Sequence, residues 1–516
     1  MRKPGFPEYP GISRPEQNLR GIWYFLPRER SIFMKEITLE ELEPKEVLRE
    51  FYGLCGIPHG SGNIRKISDY LMKWAAEHGI RAVQEPCGNV IMYVPGTPGY
   101  EKHETVVLQG HMDMVAVKDP GIAKDMEKEG LDLLSDGNYL YANGTSLGGD
   151  DGIAIAYALA VFADPSIPHP PLELLATVNE ETGMDGAMAF DASLISGRTL
   201  LNIDSEDEGI FLTGCAGGTT VKLMFPAERE TEAAFTGLEV RLFGLAGGHS
   251  GTEIDKGRKN AVLELATLLR AAREQTPFRL AEINGGEKDN AIPAEARALL
   301  AVSQGTEEAV IESVQDVFDL FAGELHAAEP GMRLMLTKLP SERVPLTDAD
   351  TNRALEFLSV LPFGVSKMSD ELPGIVETSN NVGICRTEDS CLTVQLSVRS
   401  MKETEKIAFC GELSSLADRF GAEMTRNSDY PGWSYRPDSP LRDKMVKVYT
   451  EFTGQPPVLT AIHAGLECGL LLEKLPDLDC VSFGPDILDI HTTKERLDLA
   501  STGRVWEFLK RLLREM

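Results

Sequence analysis

Apolar runs that end in metal-friendly side chains limit most what this chain can fold into. "VVLQGHMDMV" ends on His111 and Asp113, and "NGTSLGGDDGIA" carries Asp150 and Asp151. "ATVNEETG" sets Glu180 beside Glu181, and "LLNIDSEDEG" supplies Asp204, Glu206, Asp207 and Glu208. Burying an unpaired carboxylate is costly, and two adjacent ones repel. In an open α/β sheet, ligands bind beyond the carboxyl ends of the strands, so these residues should converge there. "SFGPDILDIHTTKERL" adds His491 after another strand. Two histidines with several carboxylates form a ligand set for zinc, cobalt or manganese. Singly, a strand-end aspartate is more often a cap, and a run such as "DSEDEG" is more often wet surface. Four such ends in one chain, with a G-H-x-D unit, favour a metal site.

The surrounding pattern alternates strand and helix. "ISDYLMKWAAEHG" and "DDGIAIAYALAVFAD" have helical spacing, the second with an aspartate available as N-cap. "NVIMYV", "ETVVLQ", "LELLATV" and "RTLLNI" read as buried strands. This rhythm predicts an α/β domain with a sheet flanked by helices. Near Cys215 the pattern turns to half-buried alternation, as in "GGTTVKLMF" and "CLTVQLSVRSM", which suggests antiparallel strands. Helical spacing resumes at "LRDKMVKVYTEFTG" and closes with "STGRVWEFLKRLLREM". The expected organisation is one α/β domain, 34–213 and 431–516, interrupted by an inserted α+β domain, 214–430. Residues 1–33, proline-rich and charged, precede a second methionine, Met34, and read as a loose extension or an artefact of start assignment.

A formal net charge of -29 argues against nucleic acid and against anionic membrane surfaces. Eight scattered cysteines without a C-x-x-C pair fit reduced thiols of a cytoplasmic protein. No apolar run reaches membrane-spanning length, and no phosphate-binding glycine motif is found.

The segments GHMDMV, NGTSLGGDDGIA, NEETG, NIDSEDEG, GGHSG, HAGLECG and HTTKERL, in this order, resemble the aminoacylase/carboxypeptidase clan of dinuclear zinc peptidases. They are most similar to its aminoacyl-histidine dipeptidase (Xaa-His dipeptidase) branch, from about Met34 to the C-terminus. The resemblance implies a mixed-sheet catalytic domain with an inserted lid or dimerisation domain. It implies hydrolysis of the peptide bond of dipeptides or short peptides, including β-alanyl-histidine, by a cytoplasmic homodimer. It also implies two divalent ions, zinc foremost with cobalt and manganese open. His111 and Asp204 would hold one ion and Glu181 and His491 the other, with Asp150 shared. Asp113 would orient His111, and Glu180 would be the general base toward the attacking water. His249, in "GLAGGHSG", would donate to the oxyanion, from its own chain or a partner's. Asn290 and Arg399 would take the substrate backbone and carboxylate, and His463 would line the pocket. Where many clan members carry a lysine after the shared aspartate, this chain reads Asp150-Asp151-Gly152, which leaves the role of Asp151 open. Histidines 59, 78, 103, 169 and 326 read as structural. The alternatives are an N-acyl amino acid deacylase or short-peptide aminopeptidase on the same scaffold, and a non-catalytic binding protein. The last is disfavoured because every ligand and the base are present.

Overall fold

The computed structural model describes residues 39–230, 235–340 and 343–516. The expected extension, 1–33, lies outside the described residues. Two large sheets organise the chain. The first has eight strands, running in space from Arg81–Gln84 and Val90–Val94 through Leu172–Thr177, Val106–His111, Thr199–Asn202 and Asp479–Ser482 to Ile210–Cys215 and Val458–Ile462. Its centre is parallel: Val106–His111 pairs in parallel with Leu172–Thr177 and Thr199–Asn202, and Asp479–Ser482 pairs in parallel with Thr199–Asn202. The outer hairpin Arg81–Val94 is antiparallel, so the sheet is mixed, as expected. Register aligns His111 with Thr177, and Asn202 with Gln109 and Ser482, so four central strands end at one edge.

The central strands are buried on both faces, which explains their unbroken apolar sequences. One face carries the helix Gly149–Ala163, whose sides are nearly all buried. The helix Lys45–Cys55 packs on it so closely that a Cβ on Gly152 would lie 3.2 Å from the Phe51 ring. The C-terminal helix Leu499–Glu515 seals the same core with Val505, Trp506, Phe508, Leu509, Leu512 and Leu513. Each such side chain contributes about 1.5–3 kcal/mol on burial. The other face is covered by Glu467–Lys474 and the Phe190–Ile195 stretch.

The second sheet has nine strands drawn from residues 217–430, all paired antiparallel, with a separate core under Ala261–Gln275, Glu307–Leu325, Asp348–Val360 and Glu403–Phe420. All eight cysteines are free, six of them buried. One local expectation fails. Neither Asp150 nor Asp151 caps the helix that follows: both have non-helical backbone angles, and the N-cap is Gly148, in the left-handed region at φ +69°. The aspartates are engaged elsewhere.

Candidate metal centre and active site

The strand edge gathers the residues as the topology demands. His111 ends its strand, Glu180 and Glu181 open a short helix three residues past Thr177, and Asp204 follows Asn202 by two. His491 stands in the connection after Asp479–Ser482, at φ +61°. Asp150 lies at the centre. Its Oδ1 is 3.1 Å from His111 Nε2 and its Oδ2 is 3.1 Å from His491 Nε2. Asp204 Oδ1 stands 3.8 Å from His111 Nε2, and Glu181 Oε1 3.0 Å from His491 Nε2. Around each imidazole the cluster forms a triad, His111–Asp204 and His491–Glu181, each completed by one oxygen of Asp150, and Glu181 also lies within 4.8 Å of His111 and Asp150.

Two ligand atoms bound at 2.0–2.2 Å to one tetrahedral ion lie about 3.4 Å apart, which matches these separations. Glu181 Oε1 is buried and faces His491 Nε2 at 3.0 Å, a carboxylate–imidazole donor pair of the kind that takes a divalent cation. The residues fit two divalent cations sharing Asp150. Without cations, the imidazoles carry the compensating charge. Burial alone would lower the His111 pKa, but Asp150, Asp204 and Asp113 raise it well above its ordinary value. His491 is pushed up to about 10 by its hydrogen bonds to Asp150 and Glu181. Each imidazole would lose its proton to the cation bound at its own triad.

Glu180 belongs to neither triad. Its Oε2 is 4.0 Å from His111 Nε2, and burial together with Glu467, Glu181 and Asp150 pushes its pKa up to about 8. Its backbone N–H donates to Asp113 Oδ1 at 3.1 Å, and Ser61 Oγ donates to Asp113 Oδ2 at 2.8 Å. His111 Nδ1 bonds the carbonyl oxygen of Asp113 at 2.9 Å, while the carboxylate is 3.7 Å away. Asp113 thus contacts His111 through its backbone and the Glu180 turn through its side chain. Asp151, left open by the sequence, accepts the His111 N–H through Oδ2 at 3.2 Å. Gly110 permits this approach: a Cβ there would lie 2.5 Å from Ala154 Cβ and collide with the Asp151 carboxylate. Of the acidic run after Asp204, only Glu206 turns toward the cluster. Burial first, then Asp150, pushes its pKa up to about 7. Glu208 pairs with Arg504, and Asp207 is exposed.

His249, Asn290, Arg399 and His463 form a second group. His249 pairs in register with Ala291, and the carbonyl of Asn290 accepts the Ser250 N–H at 2.9 Å. Arg399 is buried beside Ser379 on the neighbouring strand, donates to Tyr430 Oη at 3.1 Å and leaves its Nε without a partner. Ser379 Oγ meets His463 Nε2 at 2.7 Å. A Cβ on Gly251 would run into the His463 carbonyl, which brings His249 to the same place. Burial, then Arg399, lowers the His249 pKa, and the same causes bring His463 down to about 3, so both imidazoles are neutral at pH 7. No hydrogen bond or ion pair among the described residues joins this group directly to the metal cluster.

The segment 463–467 spans the gap. His463 touches the second sheet. A Cβ on Gly465 would meet Met184 Cε at 2.6 Å and the Tyr430 ring at 3.0 Å. Glu467 accepts from Gln109 Nε2 at 2.6 Å and Thr177 Oγ1 at 2.5 Å, beneath His111. Four residues extend at most about 14 Å, so this segment keeps His463 within that reach of Glu467. Sequence reasoning missed Glu467, Gln109, Ser61, Ser379, Tyr430 and Glu495. Only Glu467 and Glu495 carried a signal, since they lie within HAGLECG and HTTKERL.

A mixed sheet whose strand ends assemble two carboxylate–imidazole triads around one shared aspartate defines a two-cation hydrolase scaffold. Residues 107–515 match peptidase family M20/M25/M40, and the chain belongs to that family. It is 36% identical over 479 residues to a protein of Escherichia coli K12 named cytosol non-specific dipeptidase, covering 93% of this chain and 99% of the relative. The crystal structure of aminoacylhistidine dipeptidase from Vibrio alginolyticus matches with a TM-score of 0.85 at 36% identity, over 93% of this chain and 98% of that one. Aminopeptidase PepT from Bacillus cereus, at 15% identity and a TM-score of 0.55 over 92% of this chain and 99% of that one, shares the fold. The chain is a peptide-bond hydrolase. No described helix is long and apolar enough to cross a membrane.

Proposed function

We propose that this protein is a metal-dependent dipeptidase that cleaves the single peptide bond of short substrates, Xaa-His dipeptides and β-alanyl-histidine among them. The observation that carries the reading is the division of the cluster into two triads sharing Asp150. His111, Asp204 and Asp150 would hold one divalent ion, and His491, Glu181 and Asp150 the other. Bound there, the ions would polarise the scissile carbonyl and lower the pKa of the attacking water. Zinc is the proposed metal; cobalt and manganese suit the same donors.

Glu180 stands outside both triads, held by Asp113, and takes the proton of the attacking water and returns it to the leaving amine. His249 supports the developing oxyanion. Its Nδ1 accepts the N–H groups of Gly251 and Thr252 at 3.2 Å, so the ring proton sits on Nε2, free to donate. Arg399, with its unpartnered Nε, takes the substrate carboxylate, while Asn290 and His463 contact the backbone and the pocket wall. The inserted segment, 214–430, is proposed as a lid that brings the second group onto the first and forms the contact of a homodimer. The relative named for the cytosol supports a cytoplasmic location.

The test is a parallel assay of metal-loaded protein on β-alanyl-histidine, α-dipeptides, tripeptides and N-acetyl amino acids. Dipeptide turnover well above the others is expected. Preferential turnover of N-acetyl amino acids would replace this reading with a deacylase, and preference for tripeptides with an aminopeptidase.

A further inference from the structure

One buried carboxylate holds the loop that presents Asp150, and no step of the proposed reaction uses it. Glu495 is 3% exposed. Its Oε2 accepts the backbone N–H groups of Leu147 at 2.8 Å and Gly148 at 3.1 Å, and its Oε1 those of Gly149 at 2.8 Å and Asp150 at 3.4 Å. Four successive amides converge on one side chain from the far end of the chain. The loop is built for this. Gly148 takes φ +69°, and a Cβ there would lie 2.8 Å from Met114 Sδ.

The arrangement resolves the missing cap. The opening amides of a helix need acceptors, and an aspartate at the start ordinarily supplies one. Here Asp150 faces the two histidines and Asp151 bonds the His111 N–H, so neither is available. Glu495 takes their place. It is also fixed to the other ligand loop, four residues after His491, and its own N–H donates to the Thr492 carbonyl at 3.3 Å. One side chain therefore ties the backbone of the shared ligand to the turn carrying His491.

We propose that Glu495 is a positioning residue that sets Asp150 against His491 before any cation arrives, so that the second triad is preformed. The inference rests on the two-cation reading above. Partners that hold ligands in place typically govern metal affinity by about 10–100-fold. Glu173 provides an internal comparison. It too is a buried carboxylate that accepts loop amides, those of Ser196 and Gly197 at 3.0 Å, but from the strand that enters the sheet far from the cluster.

The experiment uses the full chain. Zinc binding to metal-free wild type, Glu495→Gln and Glu173→Gln is measured by competition with a chelator, alongside thermal melting and amide exchange of the metal-free proteins. In wild type, the amides of Gly148, Gly149 and Asp150 should be protected without zinc. Glu495→Gln should expose them and weaken the second zinc about 10–100-fold, while Glu173→Gln lowers the melting temperature and leaves both zinc affinities unchanged. Equal zinc affinities in Glu495→Gln and wild type would overturn the proposal, as would free exchange of those amides in metal-free wild type. If Glu495→Gln does not fold, Glu495→Asp, which keeps the charge and shortens the reach, should weaken the second zinc severalfold; unchanged affinity there overturns it equally. Failure of wild type to bind two zinc ions would instead remove the two-cation reading.

Discussion

Replacing Glu180 by glutamine should disable the enzyme while making its metal-free form more stable. The amide keeps the size of the side chain, and the turn stays in place because its link to Asp113 runs through the Glu180 backbone N–H. Both triads remain whole, since Glu180 lies 4.0 Å from His111 Nε2 whereas the shared aspartate lies at 3.1 Å. What disappears is the proton acceptor, worth about 10²–10⁴-fold in rate, or roughly 3–5 kcal/mol of barrier. The stability effect follows from linkage. Burial and the carboxylates of Glu467, Glu181 and Asp150 raise the Glu180 pKa from 4.5 to about 8 in the metal-free protein. A carboxyl that binds its proton more tightly when folded contributes fully below pH 4.5, and that contribution is lost as pH rises through about 8. At about 1.4 kcal/mol per pK unit the ceiling is on the order of 5 kcal/mol. Neighbouring carboxylates share the strain, so a gain of about 1–3 kcal/mol at pH 9 is expected, with none at pH 4. The assays are kcat/KM on a dipeptide, metal content by elemental analysis, and melting of the chelated protein at both pH values. Retention of activity within tenfold, with two metals bound, would refute the assignment of the base.

Other perturbations probe other parts of the site. Arg399→Lys keeps the charge but loses the planar fork; kcat/KM on free dipeptides should fall about 10–100-fold while their C-terminal amides, already poor substrates, change little. Zinc titration at pH 7.5, in buffers of differing ionisation enthalpy, should release two or more protons, because His111 is raised well above its usual pKa, His491 to about 10 and Glu180 to about 8; no release would contradict protonated imidazoles in the empty cluster. His463, brought down to about 3, must stay neutral when folded, so its contribution is present above pH 6.5 and lost as pH falls toward 3. The unfolding free energy of wild type should therefore drop between pH 6.5 and 4 more steeply than that of His463→Asn, by up to about 1.4 kcal/mol per pH unit.

The fold was legible where the controlling pattern is local. Unbroken apolar strands signal a doubly covered parallel centre, and side chains placed just after such strands meet at one edge, so the convergence of His111, Glu180, Glu181 and Asp204 is legible in the strand pattern; Asp150 instead follows Tyr139–Ala142 of a separate four-stranded sheet, and the choice of ligands and base came from the family resemblance. The supporting groups could not, because their partners are set by tertiary contact alone. Glu495 reaches the amide of Gly149 across 346 positions, and Glu467 reaches Gln109 across 358. The capping misreading has the same origin: an aspartate before an apolar helix is a sound local signal, overridden when the carboxylate is drawn into a site that pattern does not reveal. Asp113 shows a subtler limit, since the resemblance points to it as the partner of His111 but not to its carbonyl making that contact while its carboxylate serves Glu180.

Anomalous diffraction from crystals grown with zinc tests the central claim most directly. The account predicts two peaks roughly 3.5 Å apart, one bonded to His111, Asp204 and Asp150 Oδ1, the other to His491, Glu181 and Asp150 Oδ2. A single ion, or a pair that leaves Asp150 unshared, would contradict it.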